Sequence, residues 1–147
     1  MSHQPDSLTD DHFMVDQPEL MRISQDRVLD FARWTGDCNP IHVDPVAAKE
    51  SAFGGNICHG MLVLIESLAH WDPELSKLPR KLESLDAQFR SEVRPESISQ
   101  VHFQKDDSGL TGKVSSGDTL QMELVARWKN PRESVETSAR SHEFSWM

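Results

Sequence analysis

Phe31-Ala32-Arg33-Trp34-Thr35-Gly36-Asp37-Cys38-Asn39-Pro40-Ile41-His42-Val43-Asp44, followed after a short gap by Phe53-Gly54-Gly55-Asn56-Ile57-Cys58-His59-Gly60-Met61-Leu62, holds most of what is chemically unusual in this chain. Asp37 and His42 stand on either side of an Asn-Pro turn. A carboxylate and an imidazole so placed can both reach one water molecule, the arrangement that general acid–base chemistry requires. Gly60 opens a run of apolar residues that reads as a helix. An unencumbered backbone N–H there, at the positive end of the helix dipole, is suited to polarising a carbonyl oxygen. Base, acid and oxyanion donor together point to proton chemistry beside a carbonyl.

Working outward, Ser24 is an N-cap candidate, with Asp26 in the first turn favouring the dipole. The helix it opens carries Val28, Leu29, Phe31, Ala32 and Trp34 and stops at Gly36. Residues 36–40 are turn chemistry, and Pro45 starts a short second helix, with Asp44 as its cap. Phe53-Gly54-Gly55-Asn56 is a loop. From His59 to Trp71 the chain reads as a helix apolar over much of its circumference, the mark of a helix buried in a core. Asp72-Pro73 ends it.

The period then changes from helix to strand. Leu85, Ala87 and Phe89 alternate with polar residues, as do Val101 and Phe103, then Leu110, Gly112 and Val114. Leu120, Met122, Leu124, Ala126 and Trp128 give the cleanest alternation, and a weaker strand is predicted through Val135, Thr137 and Ala139. A helical front half, one buried helix and an antiparallel meander make an α+β chain. Residues 1–17 read as a leader with a possible short first strand, and 18–147 as one domain.

The 147 residues suffice for a single core. With 37% hydrophobic and 27% charged residues the chain suits a globular protein, although the apolar share is low enough that a partner subunit is expected to supply some core. No apolar run is long enough to span a membrane, and the polar, acidic start lacks the apolar region of a secretory signal. The two cysteines, Cys38 and Cys58, are read as reduced thiols of a cytoplasmic protein. A net charge of −9 argues against nucleic acid, and it requires a local basic patch for any polyanionic ligand such as coenzyme A.

The pattern F-A-x-x-T-G-D-x-N-P-I-H-x-D, then F-G-x-x-I-x-H-G-M-L, resembles the signature of the MaoC-like (R)-specific enoyl-CoA hydratases and 3-hydroxyacyl dehydratases. Weaker likeness in Gln88–Pro95, Trp128–Asn130 and Val135–Ala139 extends it over about residues 18–141. The resemblance implies a hotdog domain, a long central helix wrapped by a curved antiparallel sheet, working as a homodimer with an acyl-CoA or acyl-carrier-protein substrate near the interface. It implies that Asp37 and His42 are the catalytic pair, that Asn39 supports their loop, and that the Gly60 N–H faces the thioester oxygen. The implied reaction is hydration of a trans-2-enoyl thioester to the (R)-3-hydroxyacyl thioester, or its reverse, with no metal or redox cofactor; coenzyme A or phosphopantetheine is part of the substrate. Which of Asp37 and His42 is the base is left open. The chain departs from the family where Pro95-Glu96-Ser97 replaces a glycine-bearing turn, and where Leu68 stands in place of a polar residue late in the central helix.

Other readings of the same residues are plainer. His59 is expected to be structural, bonding across the helix N-terminus. His70, His102 and His142 lack metal-ligand spacing, and Cys58 reads as a packed thiol. Trp34, Phe53, Met61 and Leu64 are candidates for an acyl pocket. The rival functions are hotdog thioester hydrolysis and a non-catalytic acyl-thioester-binding module; the retained Asp37 and His42 disfavour both.

Overall fold

A computed structural model describes residues 17–71, 81–106 and 108–129. Their order is β1 (Glu19–Arg22), α1 (Gln25–Thr35), α2 (Pro40–Val43), α3 (Pro45–Glu50), α4 (Gly60–Ala69), β2 (Lys81–Phe89), β3 (Ile98–Lys105), β4 (Gly109–Ser116) and β5 (Thr119–Lys129).

Local chemistry sets the front half. The Ser24 hydroxyl accepts from the Arg27 N–H at 3.1 Å, and Gly36 closes α1 at φ 80°, a left-handed angle that favours glycine, its N–H donating to Ala32 O. Two further caps follow in quick succession. The Asn39 side chain accepts from the Ile41 N–H, and the Asp44 side chain from the Val46 and Ala47 N–H groups, each with proline at the next position. Three short helices thus start where their caps put them.

The strands pair antiparallel throughout, in the order β1-β3-β4-β5-β2. Along β5, Met122, Leu124, Ala126 and Trp128 are buried, as their alternation requires. They meet Val101, Phe103, Leu110 and Val114 of β3 and β4 and the buried face of α4, Leu62, Val63 and Leu64, in one core. Gly112 lies between Phe103 and Leu124 on the neighbouring strands; a Cβ there would fall 2.5 Å from the Phe103 ring, so the glycine is a seat for that ring. Trp71 stacks on Trp128 with ring centroids 5.5 Å apart.

Three expectations change. The central helix begins at Gly60 and ends at Ala69, 10 residues, with His59 as its N-cap. It is not buried all round, because it lies on one face of the sheet and leaves Met61 and Ile65 exposed. The alternation of Leu85, Ala87 and Phe89 does not bury Leu85 or Phe89, which are 37% and 50% exposed. Among the described residues their strand β2 lies at an edge of the sheet, paired with β5. The short first strand starts at Glu19, just beyond the leader predicted to hold it. The predicted end at Asp72-Pro73 and the strand through Val135, Thr137 and Ala139 lie outside the described residues.

Candidate active site

The turn between α1 and α2 is built by its own side chains. The Thr35 hydroxyl donates to Phe31 O at 2.7 Å and accepts from the Asp37 N–H at 3.3 Å, and the Asp37 carboxylate accepts from the Asn39 N–H at 3.4 Å. The segment is then bonded to the chain before α4. The Ile57 N–H donates to Ile41 O at 3.2 Å, the Asn56 amide donates to the same oxygen at 3.1 Å, and the Cys58 N–H donates to Val93 O at 2.8 Å. The two bonds to Ile41 O bring residues 37–42 against 56–60, and the third ties Cys58 to the chain after β2.

His42 is 8% exposed and its Nδ1 lies 2.8 Å from Ile57 O. A carbonyl oxygen only accepts, so Nδ1 carries the proton and Nε2 keeps a lone pair. Burial is the largest influence on this ring and lowers its pKa below the ordinary histidine value; the Ile57 carbonyl and Asp37 oppose that, and His59 adds to it. His42 is therefore set up to accept a proton. Asp37, by contrast, has its side chain 56% exposed.

His59 enters this pair, which sequence spacing did not anticipate. It makes no cap bond across the α4 N-terminus. Its Nε2 donates instead to the backbone oxygen of Asp37 at 2.9 Å, and its ring stacks on His42 with centroids 3.8 Å apart and planes inclined by 29°. Phe31 of α1 lies against it at 4.9 Å. A carboxylate oxygen of Asp37 and a ring nitrogen from each of His42 and His59 lie within 4.8 Å of one another. This is a grouping of residue types that hold metal ions, but the His59 nitrogen 4.0 Å from the Asp37 carboxylate is Nε2, which is engaged with Asp37 O.

His42 lines a cavity of about 440 Å³ together with Phe53, Gly60, Val63 and Phe89 and with the polar Arg90, Glu92 and Gln121. Gly60 is the first residue of α4, so its N–H has no partner within the helix, and it makes no hydrogen bond among the described residues. Phe89 covers its Cα, and a Cβ at Gly60 would sit 3.1 Å from that ring. Gln121 is 5% exposed; its amide donates to Glu92 O at 3.1 Å and accepts from the Ser99 hydroxyl at 2.7 Å. The β4–β5 register shifts beside it, a bulge that turns the strand where it meets the cavity.

Of the pocket candidates, Phe53 lines this cavity and Trp34, Met61 and Leu64 do not. Trp34 is 80% exposed on the outer side of α1 and Met61 is 55% exposed, whereas Leu64 is 4% exposed inside the core. Helical spacing placed them near the site in sequence, but their helices turn them elsewhere. Asn39 is the N-cap of α2, its side chain accepting from the Ile41 N–H. Ser67, on the turn before Leu68, is fully buried, and its hydroxyl donates to Val63 O at 2.6 Å. Cys58 is buried, which pushes its thiol up to about 12, so it is a poor nucleophile.

The MaoC like domain family matches residues 12–119. No curated protein matches the sequence. Among solved structures, an (R)-hydratase from A. caviae involved in PHA biosynthesis is similar at 25% identity, over 82% of this chain and 99% of that one, with a TM-score of 0.62. An R-hydratase from Pseudomonas aeruginosa, 21% identical over 80% and 81% of the two chains, superposes at a TM-score of 0.61. A MaoC-like dehydratase from Rhodospirillum rubrum shares the fold at 16% identity and a TM-score of 0.57. With the helix-on-antiparallel-sheet architecture already in hand, the match over residues 12–119 settles the family: this chain is a member of the MaoC-like domain family, an α+β protein of the hotdog fold.

Proposed function

We propose that the protein catalyses reversible hydration of trans-2-enoyl thioesters to (R)-3-hydroxyacyl thioesters. The observation that carries this reading is one of geometry. A proton-accepting His42 Nε2 and the Asp37 carboxylate lie together, and His42 shares a largely apolar cavity with the unbonded N–H of Gly60. A water held between Asp37 and His42 gives a proton to His42 as its oxygen bonds to C3 of the enoyl group. The electron pair of the double bond moves onto the thioester oxygen, where the Gly60 N–H stabilises it; one such donor contributes roughly 3–4 kcal/mol in the transition state. As the carbonyl re-forms, C2 takes a proton from the same pair, and dehydration runs the steps backward. The thioester carrier, coenzyme A or a carrier-protein pantetheine, belongs to the substrate.

The same reading includes a homodimer joined along β2. Leu82, Leu85 and Phe89 are exposed on this edge strand, and Phe89 lies against Gly60 at the start of α4, where Met61 is exposed as well. An apolar edge of this kind is one that a second sheet edge covers.

Incubation with crotonyl-CoA, with longer enoyl-CoAs and with enoyl-carrier-protein thioesters, following loss of the enoyl-thioester absorbance and release of free thiol in parallel, tests the reaction. Loss of absorbance without thiol release is the expected result. Thiol release alone would assign a thioesterase, and tight binding with neither change would assign a binding module.

A further inference from the structure

His59 stands in a position that local stability does not explain. It occupies the N-cap of α4, where Ser, Thr, Asp or Asn would bond the exposed N–H groups, and it makes no such bond. The residue is 3% exposed, and its Nδ1 is buried with no hydrogen-bond partner. With Nε2 donating to Asp37 O, Nδ1 is an acceptor left without a donor, an arrangement that opposes folding. A residue poor as a cap and poor as a buried polar group gains its place from what else it touches. It touches both members of the proposed pair: the Asp37 backbone through a 2.9 Å hydrogen bond, and the His42 ring through a face contact at 3.8 Å.

We propose that His59 is a positioning residue that sets the distance and angle between Asp37 and His42 through these two contacts; the inference rests on the hydration reading of the site. The His42 ring is held at one edge by the Ile57 carbonyl, and a single hydrogen bond still lets the ring plane tilt. The stacked His59 ring, backed by Phe31, removes this freedom. The Nε2–H bond to Asp37 O holds the other half of the pair to the same ring. One side chain therefore sets both orientations, and a displacement on the order of 1 Å is enough to slow a reaction about a hundredfold.

Two variants separate the contacts. His59→Phe keeps a flat ring without the donor, and His59→Gln keeps an N–H donor without the ring. The expected result is a kcat about ten- to a hundredfold below wild type in folded His59→Phe, with KM within about threefold, since positioning acts on the transition state more than on binding. His59→Gln should fall between the two. Its acid limb should move to higher pH, because His42 loses the covering ring; the other groups facing His42 are Asp37 and the Ile57 carbonyl, with Arg90 and Glu92 on the same cavity wall. A folded His59→Phe protein with kcat within about twofold of wild type would overturn the proposal. If His59→Phe does not fold, a His59→Gln enzyme with unchanged kcat and unchanged acid limb overturns it. The NMR titration of the His42 ring in wild type and His59→Gln reads the stacking contact without turnover. A wild type inert on every enoyl thioester would thus sink the hydration reading, while an unmoved His42 titration would sink this one.

Discussion

Replacing Gly60 by alanine sets stability against activity at one atom. The backbone of Gly60 is not in the left-handed region, which among the described glycines is occupied by Gly36, Gly54 and Gly117, so alanine fits its dihedral angles. At the head of α4 it is the better helix former by about 1 kcal/mol at most. Against that, the new Cβ would lie 3.1 Å from two carbons of the Phe89 ring and 3.3 Å from a third. The ring must yield by a few tenths of an ångström, losing some dispersion contact. These terms oppose each other, so the net change is within about 1 kcal/mol, a shift of roughly 2–4 °C in Tm for a chain of this size. Activity responds differently. Both Gly60 and Phe89 form the cavity wall, so the methyl group and the displaced ring crowd the oxygen approaching the Gly60 N–H. Loss of one oxyanion donor lowers kcat by about 10²–10³-fold. Tm by scanning fluorimetry and kcat on an enoyl-CoA, measured on one preparation, read both quantities. A variant that melts far below wild type yet whose folded fraction turns over normally would refute the oxyanion assignment and make Gly60 a packing glycine.

Further outcomes follow from the same geometry. Asp37→Asn and His42→Ala should each lower kcat by at least about a hundredfold. Asp37→Asn should leave Tm nearly unchanged, because that side chain is more than half exposed; normal turnover in either variant removes the mechanism. In the proposed mechanism neutral His42 is the active form, and its lowered pKa keeps it neutral to lower pH, so the acid limb of kcat/KM should fall below the ordinary value of about 6.5. By linkage, protonating this ring is harder in the folded chain; its contribution to stability is complete above about pH 6.5 and declines as pH drops below that. A limb at or above 6.5 in the wild type would contradict the assignment. Thiol reagents should label Cys38 quickly in the native protein and Cys58 only after unfolding, since Cys38 is exposed and the buried Cys58 thiol is pushed up to about 12; rapid labelling of both would show that the cavity wall opens. Leu85→Lys should convert a dimer to monomers in sedimentation, and an unaltered dimer would place the interface away from β2.

What sequence could and could not reveal follows the range of the interactions. Ser24, Asp44 and Gly36 act within four residues of themselves, and the helices they begin and end are where the sequence put them, whereas the four-residue helix that Asn39 caps, Pro40–Val43, was not anticipated in a stretch read as turn. The β5 alternation was equally legible, because a strand paired on both sides is buried by its period alone. The alternation of Leu85, Ala87 and Phe89 marked the strand correctly, but period 2 reports only a face, and the exposure of Leu85 and Phe89 follows from the place of β2 at an edge of the sheet among the described residues, a global property. Trp34 misled in a similar way: it stands three residues before Asp37, yet helix geometry turns it outward. The parts of the site made by distant contacts were not legible. No spacing rule pairs His59 with the Asp37 carbonyl 22 residues away, or His42 with Ile57 O 15 residues away. The histidine before Gly60 was the available signal, a residue type out of place at a cap.

The paired caps Asn39-Pro40 and Asp44-Pro45 have a thermodynamic consequence for turnover. Each proline narrows the choices open to the unfolded chain, and each cap bonds an N–H only two or three residues ahead. The segment bearing His42 therefore acquires its shape from its own few residues. The loss of conformational entropy in that segment falls in folding, once per protein lifetime, and not in each encounter with a ligand. In the proposed reaction, binding energy from the acyl chain is then left to orient the thioester, because a loop shaped in this way has little disorder to give up.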